Sequence, residues 1–180
     1  CLYLNVWTTA KTTKDKLPVL IYFNGGGLMA GSGSEPRYDG AAISREGVIG
    51  VTANYREGLF GFLSHPDLTA ESSYGGSGNY GFLDQVAAID WVKDNISAFG
   101  GDPDRITIVG ESAGSFSVSL LMVSPLSKGK IAGAMLSSGA EVIPYAAVPQ
   151  AEAEVEGKAN LESKGLMNIA EARALDADKL

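Results

Sequence analysis

Short apolar runs alternate along this chain with segments in which apolar residues recur every three or four positions. The runs at 18–23, 48–55 and 106–109 have the apolar character of strands buried in a parallel sheet, and the last of them predicts a strand at 105–109. Residues 2–7 and 131–137 predict two further strands. Because helical segments separate most of these strands, the pattern predicts crossover connections and an α/β fold with a mixed, mostly parallel sheet flanked by helices.

The helical pattern is clearest from Phe82 to Phe99, which a glycine pair ends. Its apolar positions predict one buried face, made of Phe82, Val86, Ile89, Val92, Ile96 and Phe99. Residues 112–123 predict a second helix. Beyond Pro149 the chain is rich in Ala and Glu, which indicates surface helices, and Asp176 is a residue type that favours a helix start.

Composition narrows the classes of function. A length of 180 residues suits one domain with a sizeable core, and 45% hydrophobic with 19% charged residues is typical of a folded globular chain. The formal net charge of −7 disfavours nucleic acid as a partner, because phosphate binding needs clustered Lys and Arg. No apolar stretch approaches the roughly 18 residues of a membrane-spanning helix. The single cysteine, Cys1, excludes an internal disulfide.

The pentapeptide Gly110–Gly114, with Ser112 at its centre, directly follows the apolar run 106–109. A G-x-S-x-G sequence between a strand and a helix is typical of a nucleophile elbow, in which glycines permit a tight turn that exposes the serine hydroxyl. The alternative is a plain glycine-bounded turn, but the strand before it and the helix after it favour the elbow. Ser112 is therefore predicted to attack an acyl carbonyl.

Acyl transfer also needs N–H donors for the oxyanion, and the chain offers them in two places. One is the backbone N–H of Ala113, the residue after the nucleophile. The other is the loop Asn24–Gly27, just after the strand 18–23, where glycines let the backbone approach a substrate closely. Two parts of one catalytic arrangement at compatible positions favour this interpretation over a flexible turn.

With these motifs in place, the chain resembles the type B carboxylesterases, the α/β-hydrolase family that includes the cholinesterases. The resemblance covers residues 1 to about 145 in the family's order and is only loose over 146–180. The matching stretches are 1–6, 25–27, 54–56, 61–63, 78–85, 99–103, 110–114 and 138–139.

The resemblance implies a serine ester hydrolase that acts on small-molecule carboxylic esters through an acyl-enzyme intermediate, with neither cofactor nor metal. It implies Ser112 as the nucleophile, Gly26, Gly27 and Ala113 as oxyanion donors, and Glu111 and Ser138 as residues that support the nucleophile. The alternatives are an inactive, cholinesterase-like adhesion protein and a lipase-like acyl hydrolase; the intact Ser112 and glycines argue against the first. Localisation follows only from the family, which implies secretion or the periplasm, and the oligomeric state is left open.

The one histidine, His65, lies upstream of Ser112, whereas the expected order is serine, acid, histidine. The resemblance implies that the acid and the catalytic histidine come after the last residue, Leu180. Residues 1–180 are therefore expected to form a partial α/β-hydrolase domain that is truncated at both ends, with its C-terminal part absent.

Four residues depart from the family's pattern. Asn24 stands where the family often has His, Leu28 where an aromatic residue is usual, Ser115 where a second glycine is common, and Glu57 where an aliphatic residue is usual. Asn24 is expected to change the loop without loss of the oxyanion hole. The changes at Leu28 and Ser115 are expected to alter the acyl pocket, and the sequence offers no explanation of Glu57.

Three remaining signals favour structural roles. Residues 76–81 match G-x-G-x-x-G, but no strand-like run leads into them, which argues against dinucleotide binding. Asp102 and Asp104 are expected to form a turn before the strand 105–109 rather than a metal site. Arg56 and Asp84 are predicted to form a buried structural ion pair.

Overall fold

Five strands form one mixed sheet in the computed structural model, which describes residues 2–140 and 147–180 and so leaves Cys1 outside. The strands are β1 (Leu4–Trp7), β2 (Leu17–Phe23), β3 (Ile49–Ala53), β4 (Gly101–Glu111) and β5 (Gly133–Ser137). Their order across the sheet is β1-β3-β2-β4-β5. β1 is antiparallel to β3 and the other pairs are parallel, which confirms the mixed, mostly parallel sheet.

Helices lie between most of these strands and after the last one. They are α1 (Ala41–Arg45), α2 (Gly58–Phe62), α3 (Pro66–Glu71), α4 (Tyr80–Asn95), α5 (Ala113–Val123), α6 (Gln150–Ser163) and α7 (Ile169–Arg173), with 3₁₀ turns at Pro36–Tyr38, Ile96–Phe99 and Ala177–Lys179. The predicted helix 82–99 is thus α4 followed by a tighter turn. The expectation that Phe99 belongs to the buried face is wrong: it is 39% exposed and its ring lies 6.1 Å from that of Trp91. The 3₁₀ turn changes the angle between successive side chains and moves Phe99 away from the α-helical face.

One face of the sheet carries the core. Side chains of β2, β3 and β4 that lie in register are at most 1% exposed, and α4 and α5 pack against them. These side chains are Val19, Ile21, Ile49, Val51, Ile106 and Ile108. Because β2 to β5 are parallel, their carboxyl ends meet at one edge of the sheet, so that the loops after Phe23, Ala53 and Ser137 lie close to the end of β4.

β4 begins earlier than the sequence predicts. Gly101 pairs with Leu17 of β2, and the register then shifts so that Ile106 pairs with Val19. Asp102 and Asp104 lie in the irregular segment between these two pairs, which agrees with the predicted local turn. The Asp102 carboxylate accepts hydrogen bonds from the Asp104 N–H at 3.0 Å and from Arg105 Nε at 3.1 Å. These contacts explain both aspartates as local structure.

The C-terminal helices rest on the body of the domain through a small apolar cluster made of Leu63, Leu161, Ile169 and Ala172. A Cβ atom built on Gly157 of α6 would lie 1.8 Å from the carbonyl oxygen of Ser64, so α6 packs on that segment at backbone distance. The predicted surface helices are present, and most of their other residues are exposed. Ala177 starts only a short 3₁₀ turn after Asp176.

Candidate active site

Ser112 occupies a strained turn between β4 and α5. Its backbone has φ 53° and ψ −122°, a conformation rare for residues other than glycine. A Cβ atom on Gly110 would lie 2.1 Å from the carbonyl oxygen of Gly114, and one on Gly114 would lie 2.1 Å from that of Phe23. Both glycines of the pentapeptide are therefore required by close backbone approach. This local geometry is that of a strand-to-helix elbow.

The end of β5 supports the turn from the other side. The Ser112 N–H donates to the Ser137 carbonyl oxygen at 2.9 Å, and the Ser115 hydroxyl donates to the Gly139 carbonyl oxygen. Ser138, which lies between these two acceptors, has φ 60° and is exposed. Ser115 is fully buried, so its side chain ties α5 to the segment after β5. The effect of Ser115 on an acyl pocket stays a prediction.

The glycine loop after β2 lies against the elbow. A Cβ atom on Gly25 would lie 3.2 Å from Ser112 Cβ and 2.7 Å from the carbonyl oxygen of Glu111. Gly26 and Gly27 follow with φ 115° and 66°. Within residues 2–140 and 147–180, no hydrogen bond uses the N–H of Gly26, Gly27 or Ala113. Ala113 is the first residue of α5, so its N–H has no partner in the helix.

Glu111 ends β4 beside the same loop. Its carboxylate oxygen Oε2 would lie 3.0 Å from a Cβ atom on Gly25. Burial is the main cause that raises the pKa of Tyr22, with contributions from Tyr38 and from the negative charge of Glu111. The Glu111 carboxylate therefore lies next to the glycine loop, one residue before Ser112.

Asn24 and Glu57 meet beneath the glycine loop. Asn24, which is 2% exposed, donates from Nδ2 to Glu57 Oε1 at 2.9 Å and to the Gly25 carbonyl oxygen at 3.0 Å. The Tyr55 hydroxyl donates to the carbonyl oxygen of Asn24 at 2.8 Å. Sequence reasoning noted Asn24 and Glu57 as two separate departures. Their contact could have been predicted from the parallel pairing of β2 with β3, because the residues that follow two paired parallel strands emerge side by side.

Leu28 continues the loop in a left-handed conformation, with φ 61°. Its carbonyl oxygen accepts from the Gly58 N–H at 2.7 Å, and its side chain packs against the core. The glycine loop is thus joined to α2 on both sides of its glycines. The effect of Leu28 on an acyl pocket stays a prediction.

His65 has a structural place away from the elbow segment. It is the N-cap of α3, where Nδ1 accepts from the Asp67 N–H at 3.1 Å, and it is 3% exposed. The G-x-G-x-x-G match at 76–81 connects α3 to α4 without a strand before it. His65 is thus explained as a helix cap, and residues 76–81 as a connection between two helices.

Among the described residues, no three His, Cys, Asp or Glu side chains are grouped closely enough to hold a metal ion. In the same part of the chain, no helix has both the length and the apolar character needed to cross a membrane.

Comparison with known proteins shows the family to which the chain belongs. Residues 1–166 match the family described as the carboxylesterase family. The chain is 50% identical to fumonisin B1 esterase of Sphingopyxis macrogoltabida over 85% of this chain, and 48% identical to para-nitrobenzyl esterase of Bacillus subtilis over 78%. It spans 28% of the length of each of these relatives.

Solved structures of esterases match the chain as well. A carboxylesterase of Geobacillus stearothermophilus is 42% identical, with a TM-score of 0.88 over 99% of this chain and 37% of its own length. The sequence motifs indicate a resemblance only as far as about residue 145. The structural match extends past that point into the C-terminal helices. The fold is the corresponding part of the α/β-hydrolase fold, and the chain belongs to the carboxylesterase family.

Proposed function

We propose that this chain supplies the nucleophile and the oxyanion hole of a serine carboxylesterase. The observation that carries the proposal is the strained elbow at Ser112 with the Gly25 backbone packed against it. Serine hydrolases need both parts at one point, since the hydroxyl attacks where the donors will bind the developing oxyanion. Ser112, Gly26, Gly27 and Ala113 are the residues assigned to these roles.

The reaction proposed is acyl transfer in two steps. Ser112 Oγ attacks the ester carbonyl as a base removes its proton, and the alcohol leaves with a proton from the same base. Water then hydrolyses the acyl-serine, and the carboxylic acid leaves. The N–H groups of Gly26, Gly27 and Ala113 stabilise the oxyanion in both steps, because they are available at the loop and at the first residue of α5.

The base is proposed to come from outside the 180 residues. His65 is the one histidine of the sequence, and its Nδ1 is used to cap α3 in a buried position. We propose that residues 1–180 are part of a longer hydrolase, called the full-length protein below, whose catalytic acid and histidine follow Leu180. Glu111 is proposed to stabilise the imidazolium that forms beside Ser112.

Carboxylic esters of small molecules are the proposed substrates. The relatives are named for esters of different size, such as fumonisin B1 and para-nitrobenzyl compounds, so the family supports the class of bond rather than one substrate. Intact Ser112 and loop glycines favour an enzyme over an inactive adhesion protein.

The test is labelling of the full-length protein with a fluorophosphonate, followed by peptide mapping. We expect phosphonylation of Ser112, and no label in Ser112→Ala. Ser97→Ala, which changes an exposed serine in the 3₁₀ turn after α4, is the matched control and should label normally. Hydrolysis of p-nitrophenyl acetate should follow the same pattern. A folded protein that neither labels at Ser112 nor hydrolyses esters would overturn the proposal.

A further inference from the structure

Asn24 connects the glycine loop after β2 to Glu57 through its side-chain amide. Nδ2 donates to the Gly25 carbonyl oxygen at 3.0 Å and to Glu57 Oε1 at 2.9 Å. Both partners of this NH₂ group are acceptors, which fixes the orientation of the amide. Asn24 is 2% exposed, so water has little access to compete for these bonds.

The bond to the Gly25 carbonyl reaches the proposed oxyanion hole by peptide geometry. The carbonyl of Gly25 and the N–H of Gly26 belong to one planar peptide unit, and the described part of the chain has no cis peptide bonds. In a trans peptide these two groups point in opposite directions in the same plane. An amide that holds the Gly25 oxygen therefore also sets the direction of the Gly26 N–H.

Glycine alone does not hold that direction. Gly26 has φ 115° and Gly27 φ 66°, and a glycine backbone passes between conformations at low cost. A Cβ atom on Gly31 would lie 2.1 Å from Asn24 Nδ2, so the loop closes around the amide and leaves it no room to move on that side. The remaining side is occupied by Glu57.

Glu57 is itself held in place. It is the N-cap residue of α2, its carbonyl oxygen accepts from the Gly61 N–H at 3.2 Å, and the next N–H, that of Gly58, donates to Leu28 at 2.7 Å. Its carboxylate is thus presented to Asn24 from a helix end that also contacts the far side of the glycine loop.

We propose that Glu57 is a positioning residue for ester hydrolysis: through Asn24 it fixes the peptide plane that carries the Gly26 N–H. The inference rests on the proposed function, since it assigns Gly26 to the oxyanion hole. It explains two departures from the family as one feature, in which an asparagine at position 24 requires a hydrogen-bond acceptor at position 57.

Kinetics of the full-length protein with p-nitrophenyl acetate test the proposal. Glu57→Leu removes the acceptor, and we expect kcat to fall about 10- to 100-fold, because oxyanion donors act in the transition state. KM should stay within about threefold, since ground-state binding does not use these donors. Asn24→Ala should give a similar loss. The double variant should lose about as much as either single variant, because both act on one peptide plane.

Two further variants separate positioning from a general loss of structure. Glu57→Gln keeps an acceptor oxygen and should restore kcat to within about threefold of the parent value. Glu46→Leu changes an exposed glutamate after α1 and is the matched control, with unchanged kcat. Amide hydrogen exchange of the peptide that contains Gly25 to Gly27 gives a readout independent of activity. We expect faster exchange in Glu57→Leu and parent-like exchange in Glu57→Gln.

The outcomes separate this inference from the proposed function. Parent protein that labels at Ser112, together with parent-like kcat and exchange in Glu57→Leu, overturns the positioning role alone. A kcat loss in Glu57→Gln as large as in Glu57→Leu also overturns it. Absence of Ser112 labelling in the parent overturns both proposals.

Discussion

Arg56 and Asp84 form a two-pronged ion pair between the exit of β3 and the first turns of α4. Arg56 Nε lies 2.8 Å from Asp84 Oδ2, and Nη2 lies 2.8 Å from Oδ1. The Arg56 backbone N–H also donates to Oδ2 at 2.9 Å. The predicted pair is confirmed, although burial is uneven: the Asp84 side chain is 8% exposed and that of Arg56 is 41% exposed.

Loss of the Asp84 carboxylate should destabilise the protein. In Asp84→Ala, the half-buried Arg56 N–H and the guanidinium lose their acceptor, and we expect a cost of about 2 kcal/mol. Arg56→Lys should recover only part of this stability, because an ammonium group lacks the paired geometry. Urea unfolding of the full-length variants measures the effect. The exposed pair Lys158–Glu162 is the control: Glu162→Ala should cost less than about 0.5 kcal/mol. Equal losses in Asp84→Ala and Glu162→Ala would contradict the expected role.

Replacement of Gly114 by any larger residue is expected to destabilise the protein. Its Cβ atom would lie 2.1 Å from the carbonyl oxygen of Phe23, which is backbone inside the sheet and cannot move aside. Gly114→Ala should therefore cost about 3 kcal/mol or more and should reduce labelling of Ser112. Gly76→Ala is the matched control, because its Cβ atom would approach side chains rather than backbone: the exposed Tyr74 ring at 3.2 Å and Gln150 Oε1 at 3.7 Å. Thermal unfolding and fluorophosphonate labelling compare the two; a Gly114→Ala protein as stable as Gly76→Ala would refute the packing argument.

The sequence predicted the elements that rest on local pattern. Ser112 with its glycines, the loop Gly25–Gly27 and the parallel sheet follow from motifs and periodicity within short segments. The exposure of Phe99 and the first residue of β4 could not be predicted in this way. The exposure of Phe99 depends on a 3₁₀ turn that follows a regular helix. The start of β4 depends on the pairing of Gly101 with a strand that is distant in sequence.

The role of Glu57 was out of reach for the same reason. Its partner Asn24 lies 33 residues earlier, and only the adjacency of β2 and β3 brings them together. The contact of Ser115 with Gly139 could not be predicted either, because the sequence does not show which way a side chain on α5 points. A departure from a family pattern is thus explained by its spatial neighbours rather than by its sequence neighbours.

Stability should depend on pH through Glu57. Burial is the main cause that raises the pKa of this carboxyl above its ordinary value of 4.5, with Glu35 adding to it and the hydrogen bond from Asn24 opposing it. A raised pKa means that the folded state holds the proton more tightly than the unfolded state. The contribution of Glu57 to stability is then greatest below pH 4.5 and is lost as pH rises through the raised pKa.

Glu57→Gln should consequently unfold at a higher temperature than the parent at neutral pH, and the difference should vanish at about pH 4. Glu71→Gln should behave in the opposite sense. Arg173 holds the pKa of Glu71 below 4.5, so this carboxylate stabilises the fold at neutral pH and loses its effect on acidification. Unfolding temperatures of both variants and the parent, measured between about pH 4 and 8, show how the effect of each carboxyl on stability changes with pH. If the difference in unfolding temperature between the parent and Glu57→Gln stayed the same at every pH, folding would not change the pKa of Glu57 and the prediction would be wrong.

His65 should be replaceable without loss of catalysis. Its Nδ1 caps α3 by accepting from the Asp67 N–H at 3.1 Å, and asparagine is among the best N-cap residues. His65→Asn should keep ester hydrolysis within about threefold of the parent, whereas loss of a true general base costs about 10⁶-fold in kcat in a serine hydrolase. His65→Ala removes the cap and should lower stability by about 1 kcal/mol, again without abolishing turnover in the folded fraction. Hydrolysis of p-nitrophenyl acetate and thermal unfolding, measured on the same preparations, separate the two effects. A folded His65→Asn protein as inactive as Ser112→Ala would make His65 the base and would overturn its assignment as a helix cap.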